Sequence, residues 1–136
     1  MNNVSSLAPG AAAPGDDPGA LMLRLSGVSK SFGGLRAVQD VSLSLPRGQL
    51  SALIGPNGAG KTTLFALVSG FIVPDSGQVF LDGVDITGQA PHHNARRGMT
   101  RTFQIVQPFA AQTVRQNIAV GAHLHCADRA QALHQA

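Results

Sequence analysis

The nine residues Gly55-Pro56-Asn57-Gly58-Ala59-Gly60-Lys61-Thr62-Thr63 restrict the possible folds of this chain more than any other stretch. They fit the pattern G-x-x-x-x-G-K-[ST]. Leu50-Ser51-Ala52-Leu53-Ile54, just before them, reads as a buried strand. Leu64 to Ser69, just after them, reads as a short apolar helix closed by Gly70. Strand, glycine-rich loop and helix in that order make a phosphate cradle. The glycines let the backbone curl so that successive N–H groups point at a polyphosphate. The positive end of the helix dipole faces the same anion. Lys61 can reach the β- and γ-phosphates, and the hydroxyl of Thr62 can coordinate Mg²⁺. Thr63 can touch the α-phosphate side. Gly60 must stay small where the backbone approaches phosphate.

Length and charge set the bounds. The 136 residues suffice for one domain. A hydrophobic share of 43% suits a packed chain. The net charge of +3 and a pI near 10.0 come from arginines set against few acids. No basic run exceeds Arg96-Arg97, and Trp and Tyr are absent, so stacking surfaces for nucleic acid are scarce and nucleic acid is not an expected partner. All seven acids are aspartates, and no glutamate occurs. Cys126 is the sole cysteine, which precludes an intrachain disulfide and fits a reducing cytoplasm. Residues 1–20 are rich in Ala, Pro, Gly, Asn and Ser and are expected to be a disordered tail, which leaves 21–136 as the folded part. No secretory leader is recognisable, and no run approaches the ~20 apolar residues of a membrane span. Membrane association is expected only through a partner.

Further elements follow from pattern. Leu21–Leu25 reads as a strand leading past Val28 and Phe32 to a turn at Gly33-Gly34. Val41 to Leu45 alternates apolar and polar residues, as a half-buried strand does. Gln78–Leu81 reads as a strand ending at the turn pair Asp82-Gly83. Pro91 to Arg97 suits a short helix with Gly98 after its end, and Met99 to Gln104 suits a strand running into a loop. Thr113 and Gln116 form a capping box for a helix from Val114 onward.

Several constellations mimic sites. Val79-Phe80-Leu81-Asp82 imitates a metal-binding strand end, yet Asp82-Gly83 is a turn pair and no glutamate follows. Ser76-Gly77-Gln78 sits in a turn after Pro74. His123, His125 and Cys126 lack the further ligands a metal needs. His92 and His93 are adjacent and are expected on different helix faces.

Taken together, the motifs resemble those of ABC transporter ATP-binding subunits. The loop Gly55–Thr63 resembles the ABC form of the phosphate loop, which is narrower than the general pattern. Leu67 to Gly70, Pro74 and Ser76-Gly77 are similar to the segment that follows it. Arg101-Thr102-Phe103-Gln104 is similar to the Q-loop segment, and Phe109, Thr113-Val114 and Asn117 to the entry of the helical subdomain. Ser31-Phe32-Gly33-Gly34, Ser69-Gly70-Phe71 and Ala95-Arg96-Arg97-Gly98 resemble the branched-chain amino acid transporter type most. Urea and lipopolysaccharide-export ATPases are similar in these stretches.

The resemblance carries a set of expectations. The fold would be α/β, a partial P-loop NTPase core with an antiparallel β subdomain, truncated before the Walker B strand. Cofactors would be ATP and Mg²⁺. Gly55, Asn57, Gly58, Ala59, Gly60, Lys61, Thr62 and Thr63 would hold the phosphates, and Phe32 would stack on adenine. Thr62 and Gln104 would serve the metal, with Gln104 also sensing the γ-phosphate and the attacking water. Partners would be transmembrane permease subunits, a second ATP-binding subunit in a head-to-tail dimer and, indirectly, a periplasmic substrate-binding protein. The location would be the cytoplasmic face of the inner membrane. The family's Walker B aspartate, catalytic glutamate, signature motif and switch histidine lie after the Q-loop. The chain alone is therefore expected to be inactive in hydrolysis. A nucleotide-binding fragment without turnover is the alternative reading.

Overall fold

The structure is a computed structural model and describes residues 21–105, 107–123 and 133–134. The expected tail over 1–20 and the residues His125 and Cys126 lie outside the described residues. The chain forms two compact units that divide after Pro91.

The first unit is built on one antiparallel sheet. β1 (Leu21–Phe32) and β2 (Leu35–Pro46) form a long hairpin around the Gly33-Gly34 turn. β3 (Ser76–Leu81) pairs with the other edge of β1, and β4 (Val84–Asp85) closes the order β2-β1-β3-β4. Alternation decides which face is covered. Leu25 and Val28 of β1, Val38 of β2, and Val79 and Leu81 of β3 are buried, whereas Arg24, Ser42 and Ser44 are exposed. Leu25 lies opposite Leu43 and Val79 in the two ladders, so neighbouring strands present apolar side chains at one level. Asp82 and Gly83 both have positive φ and make the tight turn into β4, as their sequence suggests. Asp82 also pairs with Arg47 at 2.6 Å.

Helix α1 (Lys61–Val68) buries Leu64, Ala66 and Leu67. It ends in a Schellman pair of bonds. The N–H of Gly70 reaches Leu67 O at 3.2 Å, and that of Phe71 reaches Ala66 O at 2.9 Å.

The second unit contains the body of α2 (Pro91–Arg96) and α3 (Val114–Ala122). The capping box of α3 is present: Gln116 N–H donates to Thr113 Oγ1, and Thr113 N–H donates to Gln116 Oε1. Asn117 ties the preceding loop to this helix. Its amide donates to the carbonyls of Phe109, Gln112 and Thr113 and accepts the Phe109 N–H at 2.8 Å.

Four sequence expectations are corrected. Ser76-Gly77-Gln78 is not in the turn after Pro74 but opens β3, because β1 offers it a partner, with Ser29 opposite Ser76 and Ser26 opposite Gln78. Leu50–Ile54 is not a strand, and Leu50 and Ile54 are 98% and 90% exposed. Its residues suit a buried parallel strand, but such a strand exists only through neighbours on its edges. The four described strands pair among themselves, and none runs beside 50–54. Met99–Gln104 is likewise irregular, for the same reason. The rings of His92 and His93, expected on separate faces, approach to 4.1 Å between centroids. In a helix as short as α2, two adjacent side chains can lean together. Among the described residues no group of three metal-ligating side chains surrounds them.

Two outcomes test this packing. A Cβ on Gly77, where φ is +87°, would overlap the backbone of Gly27 and Val28 in β1, whereas one on Gly48, at φ +71°, meets open space. Urea denaturation should show Gly77→Ala costing about 3 kcal/mol and Gly48→Ala about 1 kcal/mol. Equal losses would mean that the β1–β3 approach is looser than described. The second concerns acid. The Thr87 hydroxyl, the Thr87 N–H and the Gln78 amide donate to Asp85 and hold its carboxyl below the ordinary 3.8. The unfolded chain then takes up this proton first, so the contribution is complete above about pH 4 and is lost as pH falls through the lowered folded value. Asp85→Asn should flatten the loss of stability below pH 4; an unchanged acid limb would refute the network.

Candidate functional site

The site is assembled at the junction of α1 and β2. Gly60 is the N-cap of α1 in a left-handed conformation, with φ 81°. A Cβ at this position would overlap the carbonyl oxygen of Ala37 in β2. Glycine is therefore demanded twice, by conformation and by the strand behind it. This contact seats the loop on the sheet.

The start of α1 is electrostatically open. No side chain caps it, and no acid occupies its first turn. The N-terminal N–H groups and the positive dipole end thus lack an anionic partner within α1. Lys61 folds over the same loop. Its ammonium donates to Gly55 O at 2.7 Å and to Pro56 O at 2.6 Å. The Ala59 N–H meets Pro56 O at 3.3 Å and closes the turn. Gly58, with φ 82°, and Asn57 form the exposed tip. Thr62 is exposed on the first turn of α1, and Thr63 is half-buried beside it. Glycine-permitted curvature, donors without an anion and a cation held by two backbone carbonyls fit a polyphosphate group. The exposed Thr62 hydroxyl adds a neutral oxygen of the kind a hard divalent cation accepts.

Phe32 closes β1 and is 45% exposed. Across the hairpin, Ser31 faces Arg36 and Lys30 faces Val38, so Ala37 lies at their level. The strand that backs Gly60 is thus the one paired with the end of β1. About two residue rises, ~7 Å, separate Phe32 from that level along the strand. The structure brings Phe32 and the residues from Gly55 to Thr63 into one unit. Gln104 belongs to the second unit, exposed at a bend.

Sequence pattern did not point to Ala37, whose carbonyl backs Gly60. The contact joins residues far apart in the chain, and only the small side chain before Val38 hints at it. Pattern also did not reveal Asp75, which binds Lys30 at 2.6 Å and the Ser31 N–H at 2.8 Å beside Phe32.

The family described as ABC transporter matches residues 38–136. The branched-chain amino acid transport ATP-binding protein BraF of Pseudomonas aeruginosa is 45% identical over 104 residues, covering 76% of this chain and 41% of BraF. The probable branched-chain amino acid transport ATP-binding protein LivG of Archaeoglobus fulgidus is 44% identical over 99 residues, covering 73% of this chain and 38% of LivG. A solved ATP-binding cassette of an ABC transporter in its ADP conformation superposes with a TM-score of 0.70 at 34% identity, over 85% of this chain and 46% of the cassette. The chain thus spans about two fifths of these curated relatives.

Two substitutions test the cradle. Lys61→Ala should weaken MgATP by about 2–3 kcal/mol, the worth of a charge-assisted phosphate contact. Gly60→Ala removes no charge yet should weaken MgATP comparably, because the Cβ drives the loop off Ala37. Titration with a fluorescent ATP analogue measures both; affinities equal to wild type would rule the cradle out.

Proposed function

The chain belongs to the ABC transporter family, and we propose on that premise that it supplies the phosphate-loop part of an importer's ATP-binding subunit. The transported substrates would be branched-chain or similar amino acids, as the names of the relatives suggest. One observation carries the nucleotide reading: the Lys61 ammonium bridges two loop carbonyls beside an uncapped helix start.

In this reading Lys61 exchanges the carbonyls of Gly55 and Pro56 for phosphate oxygens. The N–H groups around Asn57, Gly58, Ala59 and Gly60 bind the remaining oxygens, and Thr63 contacts the α-phosphate side. The Thr62 hydroxyl would be a ligand for Mg²⁺, and the family resemblance gives Gln104 of the second unit the same role. A Mg²⁺ ion held there would supply positive charge to offset the charge that develops on the phosphate oxygens. Phe32 offers its ring to adenine, and Gln104 orients the attacking water. Two such subunits would sandwich nucleotide head to tail and act on transmembrane permease subunits at the cytoplasmic face of the inner membrane. A periplasmic substrate-binding protein would supply the cargo to the permeases. Among the described residues no helix is long and apolar enough to cross a membrane.

Binding and turnover separate in this chain. In the family a glutamate activates the water, and the 136 residues contain none. The purified chain should therefore release no phosphate from MgATP above background while still binding it. The assay is phosphate release, with Lys61→Ala as the contamination control. Turnover that Lys61→Ala abolishes would place the catalytic acid at Asp82 or Asp85 and overturn this division.

A further inference from the structure

The end of β1 is held by something other than its sheet. The β1–β3 ladder stops at Ser29 opposite Ser76. Residues 30–32 keep strand pairing on the β2 side alone, and the register shifts on both sides of Lys30. Irregular, one-sided strand ends fray unless tied down. On the vacated side stands the turn residue Asp75.

Asp75 makes three bonds there. Its N–H donates to Ser29 O at 2.9 Å and continues the ladder by one step. Its Oδ2 accepts the Ser31 N–H at 2.8 Å, in the place of a strand carbonyl. Its Oδ1 accepts from Lys30 Nζ at 2.6 Å. The Lys30 side chain is only 18% exposed, and its ammonium lies 5.7 Å from the centroid of the Phe32 ring, within cation–π reach. The Lys30 and Ser31 bonds hold the Asp75 carboxyl below the ordinary carboxylate range, so it is charged at neutral pH. One side chain thus fixes Ser31 by its backbone and Lys30 by its charge, and the next residue is Phe32.

We propose that Asp75 is a positioning residue for the nucleotide base: through Ser31 and Lys30 it holds the Phe32 ring ready for adenine at the edge of the phosphate loop. The proposal rests on the reading of Phe32 as the adenine platform. A half-exposed ring on an untethered strand end must be ordered at the moment of stacking. A ring already fixed avoids that entropy, and the difference appears in affinity. Asp75 has no bond to the phosphate loop in this network, so its effect falls on the base and not on the phosphates.

The test compares a ligand with a base to one without. MgATP and magnesium tripolyphosphate are titrated calorimetrically into the full chain as wild type, Phe32→Ala, Asp75→Ala, Asp75→Asn and Lys30→Met. Asp75→Ala should weaken MgATP about 3- to 10-fold and leave tripolyphosphate within about twofold. Asp75→Asn, which keeps an acceptor for Ser31 but loses the charge, should fall between wild type and Asp75→Ala. If Asp75→Ala does not fold by circular dichroism, Asp75→Asn and Lys30→Met carry the same comparison. Equal losses for both ligands, or no loss for either, would overturn the positioning role. If Phe32→Ala itself fails to separate the two ligands, the stacking reading falls and the proposal falls with it. Selectivity at Phe32 without selectivity at Asp75 refutes the positioning role alone.

Discussion

The first unit depends on the contact between Gly60 and the carbonyl of Ala37. A phosphate loop is a curl of backbone with few side chains of its own to pack, so its shape must be set from outside. Here the outside is an antiparallel strand. Because β2 is paired along its length with β1, and β1 with β3, the position of the loop is tied to a sheet it does not join. The absence of a Cβ at Gly60 permits an approach no other residue allows. That approach orients the first turn of α1, and with it Lys61 and Thr62.

Charge then follows geometry. The helix start carries neither a capping side chain nor an acid, which leaves its partial positive charge for an incoming anion. Lys61 lies on carbonyl oxygens, which are neutral acceptors, and not on a carboxylate. Exchange of a carbonyl for a phosphate oxygen would replace a bond to a neutral acceptor by one between opposite charges. Elsewhere in the unit the cations are engaged differently. Arg47 and Lys30 pair with Asp82 and Asp75, and Arg24 lies 4.1 Å from the centroid of the Phe80 ring. Lys61 differs from them in having a partner it can give up at little cost.

The exposed apolar run Leu50–Ile54 shows the opposite situation. It has the composition of a strand buried on both faces but no partner within the described sheet. Leu50, Ile54, Phe65, Phe71 and Val73 leave much apolar surface open in the first unit. Surface of this kind favours association, and an unpaired backbone beside it adds a template for strand pairing.

Much of the local structure could be read from residues alone. The glycine-rich turn before α1, the Asp82-Gly83 turn, the Thr113–Gln116 capping box, the alternation of Val41 to Leu45 and the closure of α1 at Gly70 all depend on neighbours within a few positions. Local bonding and steric rules suffice for them. Tertiary structure alone decided three other matters. It denied Leu50–Ile54 a ladder, because pairing is a property of two segments and not of one. It set Ala37 behind Gly60, a contact across more than twenty residues that leaves no periodic trace. It brought Asp75 to the end of β1, where a single carboxylate takes over from a strand that has stopped. Propensity is written residue by residue, whereas edges, close approaches and substitute partners arise only when distant parts of the chain meet.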